Sequence, residues 1–236
     1  MTKNLHHPSK KEFQVERLIF FSDAVFAIAI TLLIIEIKVP ELEHGDASER
    51  GFFHAMVSLI PKFLGFIISF FIIGLYWFIH HRMFGYVTNY NGKLIWLNLV
   101  FLFSIVLMPF STAVYSEYST PEHIRLISPY LVYVLNICLT GVLNYFMWRY
   151  IGNPRNGVTE DFPGGDFLKK AKIRSLLLPG VFILSLLTAI LINPIIGRYV
   201  LLLMPLFMSL VKNKKDRVVK TVNNNSQERI PDKEIA

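Results

Sequence analysis

Charge and cysteine are both scarce in this chain, and each scarcity removes classes of function. Charged residues make up 17% of the 236 positions, against about 25% in a soluble domain, while 53% are hydrophobic. A lipid solvent accounts for that balance. The single cysteine, Cys138, lies inside a hydrophobic run. It forms no intramolecular disulfide, leaves no metal site resting on thiolates, and reads as a small core residue. The signatures of catalysis are missing as well: there is no H-E-x-x-H, no P-loop, no Ser-His-Asp arrangement and no helix with paired glutamates. The chain is therefore expected not to be an enzyme, and to hold no cofactor and no metal. Asp23 interrupts the first apolar stretch and no small-residue cleavage site follows, so the N-terminus is expected to be retained.

What the chain has is apolar length. Runs such as Phe63 to Ile79, Leu94 to Phe110 and Leu176 to Ile192 approach or reach the ~20 residues that cross a hydrocarbon core. Six spans are expected, at about 18–37, 52–79, 94–115, 128–149, 174–192 and 195–211. The fold class is all-α, a polytopic membrane protein with one transmembrane domain over 1–211. Prolines 61, 109, 129, 179, 194 and 205 lie in or beside the spans and are expected to kink them, with neighbouring helices re-satisfying the freed carbonyls. Asn193-Pro194 is the expected turn between the last two spans. From Lys212 to 236 the sequence is polar and Asn-rich without apolar periodicity, and a disordered cytosolic tail is expected, with basic residues placed to touch anionic lipid.

The net charge of +7 raises the question of nucleic acid, but its placement points to a membrane. All but five of the 24 Lys and Arg (Lys38, Arg50, Lys62, Arg125 and Arg198) fall on one side of the expected spans. The positive-inside bias then puts both termini in the cytosol. The opposite first connection, Glu41 to Asp46, is acidic and reads as a solvated loop. No internal repeat is evident, so any structure built around a central axis needs several identical subunits.

The most informative stretch runs from Arg17 to Ile35, where a carboxylate stands inside an apolar span. A charge at a helix centre costs about 2.5 to 3.5 kcal/mol on insertion scales, so Asp23 is expected either to find a partner in protein or to lie hydrated near the cytosolic interface. At about 100° per residue, Ile28 and Ile35 nearly eclipse with Thr31 and Leu32 on either side, while Asp23 points roughly 140° away. Elsewhere His80 and His81 end the second span, Trp96 and Asn98 open the third, and Asn136 and Asn144 lie in the fourth. Arg17, Ser22, Asp23, His81, Trp96 and Asn98 are expected to form a structural polar network at one depth, tying three helices together. Adjacent histidines diverge on a helix and no third ligand is placed, so metal or haem binding is not expected. On periodicity alone, the Ile28, Thr31, Ile35 stripe faces lipid or another helix.

The Arg-x-x-x-Phe-Ser-Asp pattern, present as Arg17, Phe21, Ser22 and Asp23, resembles the signature of the transmembrane protein 175 family, the potassium channels of lysosomes and many prokaryotes. His81, Asn98 and Pro109-Phe110 are similar to the family's second and third helices. The resemblance is strong over 17 to about 111 and hydropathic beyond. It implies a prokaryotic-type homotetramer in a bacterial plasma membrane, with six helices per subunit and four first helices around a central pore. Its partners would be lipid and the permeating potassium ion. By position relative to the signature, it implies a constriction at Ile28 and further pore-facing layers at Thr31 and Ile35, with Leu32 beside them. No T-V-G-Y-G carbonyl filter is present, so selectivity would rest on side-chain layers and be moderate. Beside that reading stand a cation- or proton-coupled transporter using Asp23 and a scaffold that conducts nothing.

Overall fold

The computed structural model describes residues 11–40, 42, 48–120, 122–160 and 162–199. Their long elements are all helical: α1 (Lys11–Ile35), α2 (Glu49–Ser58), α3 (Ile60–Phe84), α4 (Gly92–Glu117), α5 (Ser128–Ile151), α6 (Gly164–Leu191) and a short α7 (Pro194–Tyr199). Five of them, α1, α3, α4, α5 and α6, are long and apolar enough to cross a membrane. The chain is thus a multi-pass membrane protein. The expected sixth span, 195–211, begins at α7, and its residues 200–211 lie outside the described residues, as does the 212–236 tail.

Two expected boundaries are corrected. The 52–79 span is divided at Leu59, with α2 before it and α3 running on to Phe84. Pro61 sits in the first turn of α3, where a missing N–H is harmless and its fixed φ favours a helix start. Pro129 and Pro194 likewise open α5 and α7 rather than kinking a span. The 174–192 span is a longer helix that begins at Gly164.

Pro109 and Pro179 do lie inside helices, and α5 answers both. Pro109 disrupts the α4 ladder beside it, and Asn136 reaches in from α5. In the amide orientation that matches donors to acceptors, Asn136 Nδ2 donates to Ser104 O at 3.1 Å. Its Oδ1 accepts from Met108 N at 3.1 Å and from Ser111 Oγ at 3.0 Å. One buried amide thus serves both ends of the ladder position next to the proline, the repair expected where no water can reach. Opposite Pro179, α5 carries Gly141. A Cβ there would overlap Pro179 Cγ and lie 2.9 Å from Ser175 O, so only glycine admits this approach.

Helix α1 packs on α3 and α4, α4 on α5, α5 on α6 and α6 on α7. Hydroxyls tie the layers. Thr112 of α4 donates to Ser69 of α3 at 2.7 Å, and Ser69 pairs with the Tyr133 hydroxyl of α5 at 2.8 Å. At the same end of the bundle, Arg198 donates to Ile124 O at 2.6 Å and Pro194 O at 3.0 Å, with its guanidinium over Tyr115 and Tyr130. Ser185 Oγ donates to Gly197 O at 2.6 Å. Asn193-Pro194 is the turn, and these contacts fold α7 back onto α6. At the other end, Asn91 caps α4 through Leu94 N at 3.0 Å and accepts from Tyr150 OH at 2.8 Å, joining the start of α4 to the last turn of α5.

Candidate pore helix and the cluster that holds it

The inner face of α1 is set by Val15, Ser22, Phe26, Ala29 and Leu33, all buried. At about 100° per residue these five directions cluster within roughly 60°. The Ile28, Thr31, Ile35 stripe lies on the opposite side of the helix, 58% exposed at Ile28 and 68% at Ile35. Thr31 is exposed too, and Leu32 is 40% exposed. Nothing of the chain's own described bundle covers that stripe. The Thr31 hydroxyl donates to Ile28 O at 2.9 Å, which commits its proton to the helix and turns oxygen lone pairs outward.

A chain of hydrogen bonds fixes the rotation of α1. Ser22 Oγ donates to Leu18 O at 2.8 Å, Asn98 Nδ2 of α4 donates to Ser22 Oγ at 2.9 Å, and His80 Nε2 of α3 lies 2.9 Å from Asn98 Oδ1. An amide oxygen only accepts, so His80 carries its proton on Nε2. The His80 ring is enclosed by Phe84 at 4.3 Å, Phe26 at 5.5 Å and Phe101 at 5.8 Å between centroids. Ser22, His80 and Asn98 are all buried, and one helix contributes each. A second contact lies nearer the surface, where Trp77 Nε1 donates to Asp23 Oδ1 at 2.9 Å.

The structure brings Ser22 and Asn98 together and gives Asp23 a protein partner. It does not bring the other expected network members into that cluster. His81 is exposed and stacks on Trp77, with centroids 5.7 Å apart. Trp96 is 70% exposed and Arg17 is exposed on the single subunit; Phe21, a signature residue outside the expected network, is exposed there too. Their places within the subunit are taken by His80 and Trp77. The packed helix explains the choice: Ser69, Ile72, Tyr76, His80 and Met83, at steps of three and four, form the buried stripe of α3, and His81 falls about 100° off it. Among the described residues, no group of three His, Cys, Asp or Glu gathers as for a metal ion.

The model of the family described as "Endosomal/lysosomal potassium channel TMEM175" matches residues 17–109. A potassium channel of Streptomyces collinus is 42% identical over 98 residues, covering 42% of this chain and 46% of that one. A potassium channel of Chamaesiphon minutus is 39% identical over 108 residues, covering 46% of this chain and 52% of that one. The matched segment therefore spans about half the length of these curated relatives. The crystal structure of a lysosomal potassium-selective channel TMEM175 homolog from Chamaesiphon minutus superposes with a TM-score of 0.68 at 26% identity, over 85% of this chain and 99% of that chain. The resemblance to transmembrane protein 175 thus holds in a family model, in relatives and in a solved structure. The family matched is one of ion channels, not of enzymes.

Proposed function

We propose that four copies of this chain assemble around α1 as a moderately selective potassium channel, each with six spans and both termini in the cytosol. The observation that carries the reading is the stripe of Ile28, Thr31 and Ile35. It lies opposite the face that α1 buries on α3 and α4 and is left uncovered by the described residues of its own subunit. Lipid would cover such a stripe equally well, and the potassium-channel relatives over this same segment favour the pore.

In that assembly the stripes converge on one axis. Four Ile28 side chains form the narrowest ring and close the path by contact and dewetting; a small outward movement of the helices admits a partly hydrated cation. Four Thr31 oxygens, with lone pairs facing the axis, replace part of the ion's water. A ring of neutral oxygens discriminates by dipole number and spacing rather than by full charge, which makes selectivity moderate. The Ser22-Asn98-His80 chain keeps each α1 from rotating its stripe off the axis. Asp23 stays out of the conduction path, held by Trp77.

The test is the reversal potential of the purified protein in a planar bilayer with potassium opposed to sodium, for the wild type and for Ile28→Asn. A potassium-directed potential, with current raised by the polar substitution, is expected. Silent bilayers from correctly assembled wild type and variant would overturn the channel reading.

A further inference from the structure

The end of the bundle formed by the C-terminus of α5 and the N-terminus of α6 carries a second surface that conduction does not use. Helix α6 has 28 residues, or about 42 Å of length, against a hydrocarbon core of about 30 Å. Its opening turns must stand in the headgroup region, and they hold Lys169 and Lys172. The two helices are in close contact there. A Cβ on Gly152 would lie 2.8 Å from Leu168 Cδ2, and Trp148 meets Phe167 at 5.8 Å between centroids. Arg149, exposed on α5, is therefore level with Lys169. Lys172 Nζ reaches across the seam to 5.9 Å from the Tyr145 ring centroid, and Arg149 lies one turn beyond Tyr145 on the same face. Among the described residues, none of these three cations has a carboxylate within ion-pair distance. Toward the bilayer centre the same seam turns apolar, with Val142 40% and Leu176 42% exposed.

We propose that this seam binds an anionic phospholipid, its headgroup held by Arg149, Lys169 and Lys172 and an acyl chain lying over Val142 and Leu176. Charge complementarity selects the headgroup, and the apolar continuation favours a lipid over an acidic soluble segment. The proposal rests on the membrane-spanning reading and not on ion flux.

Native mass spectrometry of the full chain in detergent, mixed with phosphatidylglycerol or phosphatidylcholine, tests it. The wild type should retain phosphatidylglycerol about tenfold or more over phosphatidylcholine. Arg149→Gln/Lys169→Gln/Lys172→Gln should lose that preference, and Lys172→Gln alone should weaken it. Arg82→Gln/Lys93→Gln/Arg155→Gln, which removes as much charge from exposed positions at the same end, should keep it. An unchanged preference in the seam variant, an equal loss in the control, or no preference in the wild type would each overturn the proposal. The readout needs no current, so its failure is distinct from a failure of the channel reading.

Discussion

Replacing Asn98 by leucine removes the central link of the chain that holds α1 and preserves most of its volume. The amide gives one hydrogen bond to Ser22 of α1 and takes one from His80 of α3. Interhelical bonds of this kind average about 0.6 kcal/mol in a membrane and reach about 1.7. The consequences for the two partners differ. Ser22 keeps its bond to Leu18 O, whereas the Nε2–H of His80 is left unpaired among Phe26, Phe84 and Phe101, at about 1 to 3 kcal/mol. The expected loss is about 2 to 3 kcal/mol, read as unfolding in mixed micelles of rising dodecyl sulfate fraction. Adding His80→Phe removes the stranded donor, so the double variant should be at least about 1 kcal/mol more stable than the sum of the single losses. An Asn98→Leu protein within about 0.5 kcal/mol of wild type, or a strictly additive pair, would refute the linkage.

Thr31→Val keeps side-chain shape and removes the outward oxygen; the potassium-over-sodium permeability ratio should fall several-fold, seen as a reversal potential moving toward zero, with expression unchanged. Asn136→Leu strands Ser104 O and Met108 N beside Pro109 and should cost about 2 kcal/mol in the same micelle assay. Pro109→Ala, which lets the α4 ladder re-form, should recover most of that loss in the double variant. Gly141→Ala drives a methyl into Pro179 and Ser175 O and should destabilise by about 1 to 3 kcal/mol, with Gly74→Ala, whose Cβ meets nothing within 4 Å, as the harmless control.

The sequence determined what depends on length and on local chemistry. A run of apolar residues long enough to cross a bilayer forms a helix because no water is there to satisfy its backbone, so α1, α3, α4, α5 and α6 were legible as elements, although the 52–79 span merged α2 with α3 and the 174–192 span missed the polar opening turns of α6. That Ile28, Thr31 and Ile35 share one side of α1 follows from spacing alone, whereas the pattern from Arg17 to Asp23 is legible only as a resemblance to a family. Which way each helix turns was not legible. In a soluble protein the polar face marks the outside, but in lipid both the buried and the exposed faces are apolar, and the period loses that meaning. Hence Ser22 and Asn98 were readable as polar residues that need partners, while the choice of His80 over His81, and of Trp77 over Trp96, waited on the rotation and axial offset of α3 against α1 and α4. The same holds for Asn136, a fourth-span amide whose place beside Pro109 is fixed by how deep α5 lies along α4. Only packing sets those offsets, because every turn of an apolar helix is equally soluble in hydrocarbon and no single segment carries the information.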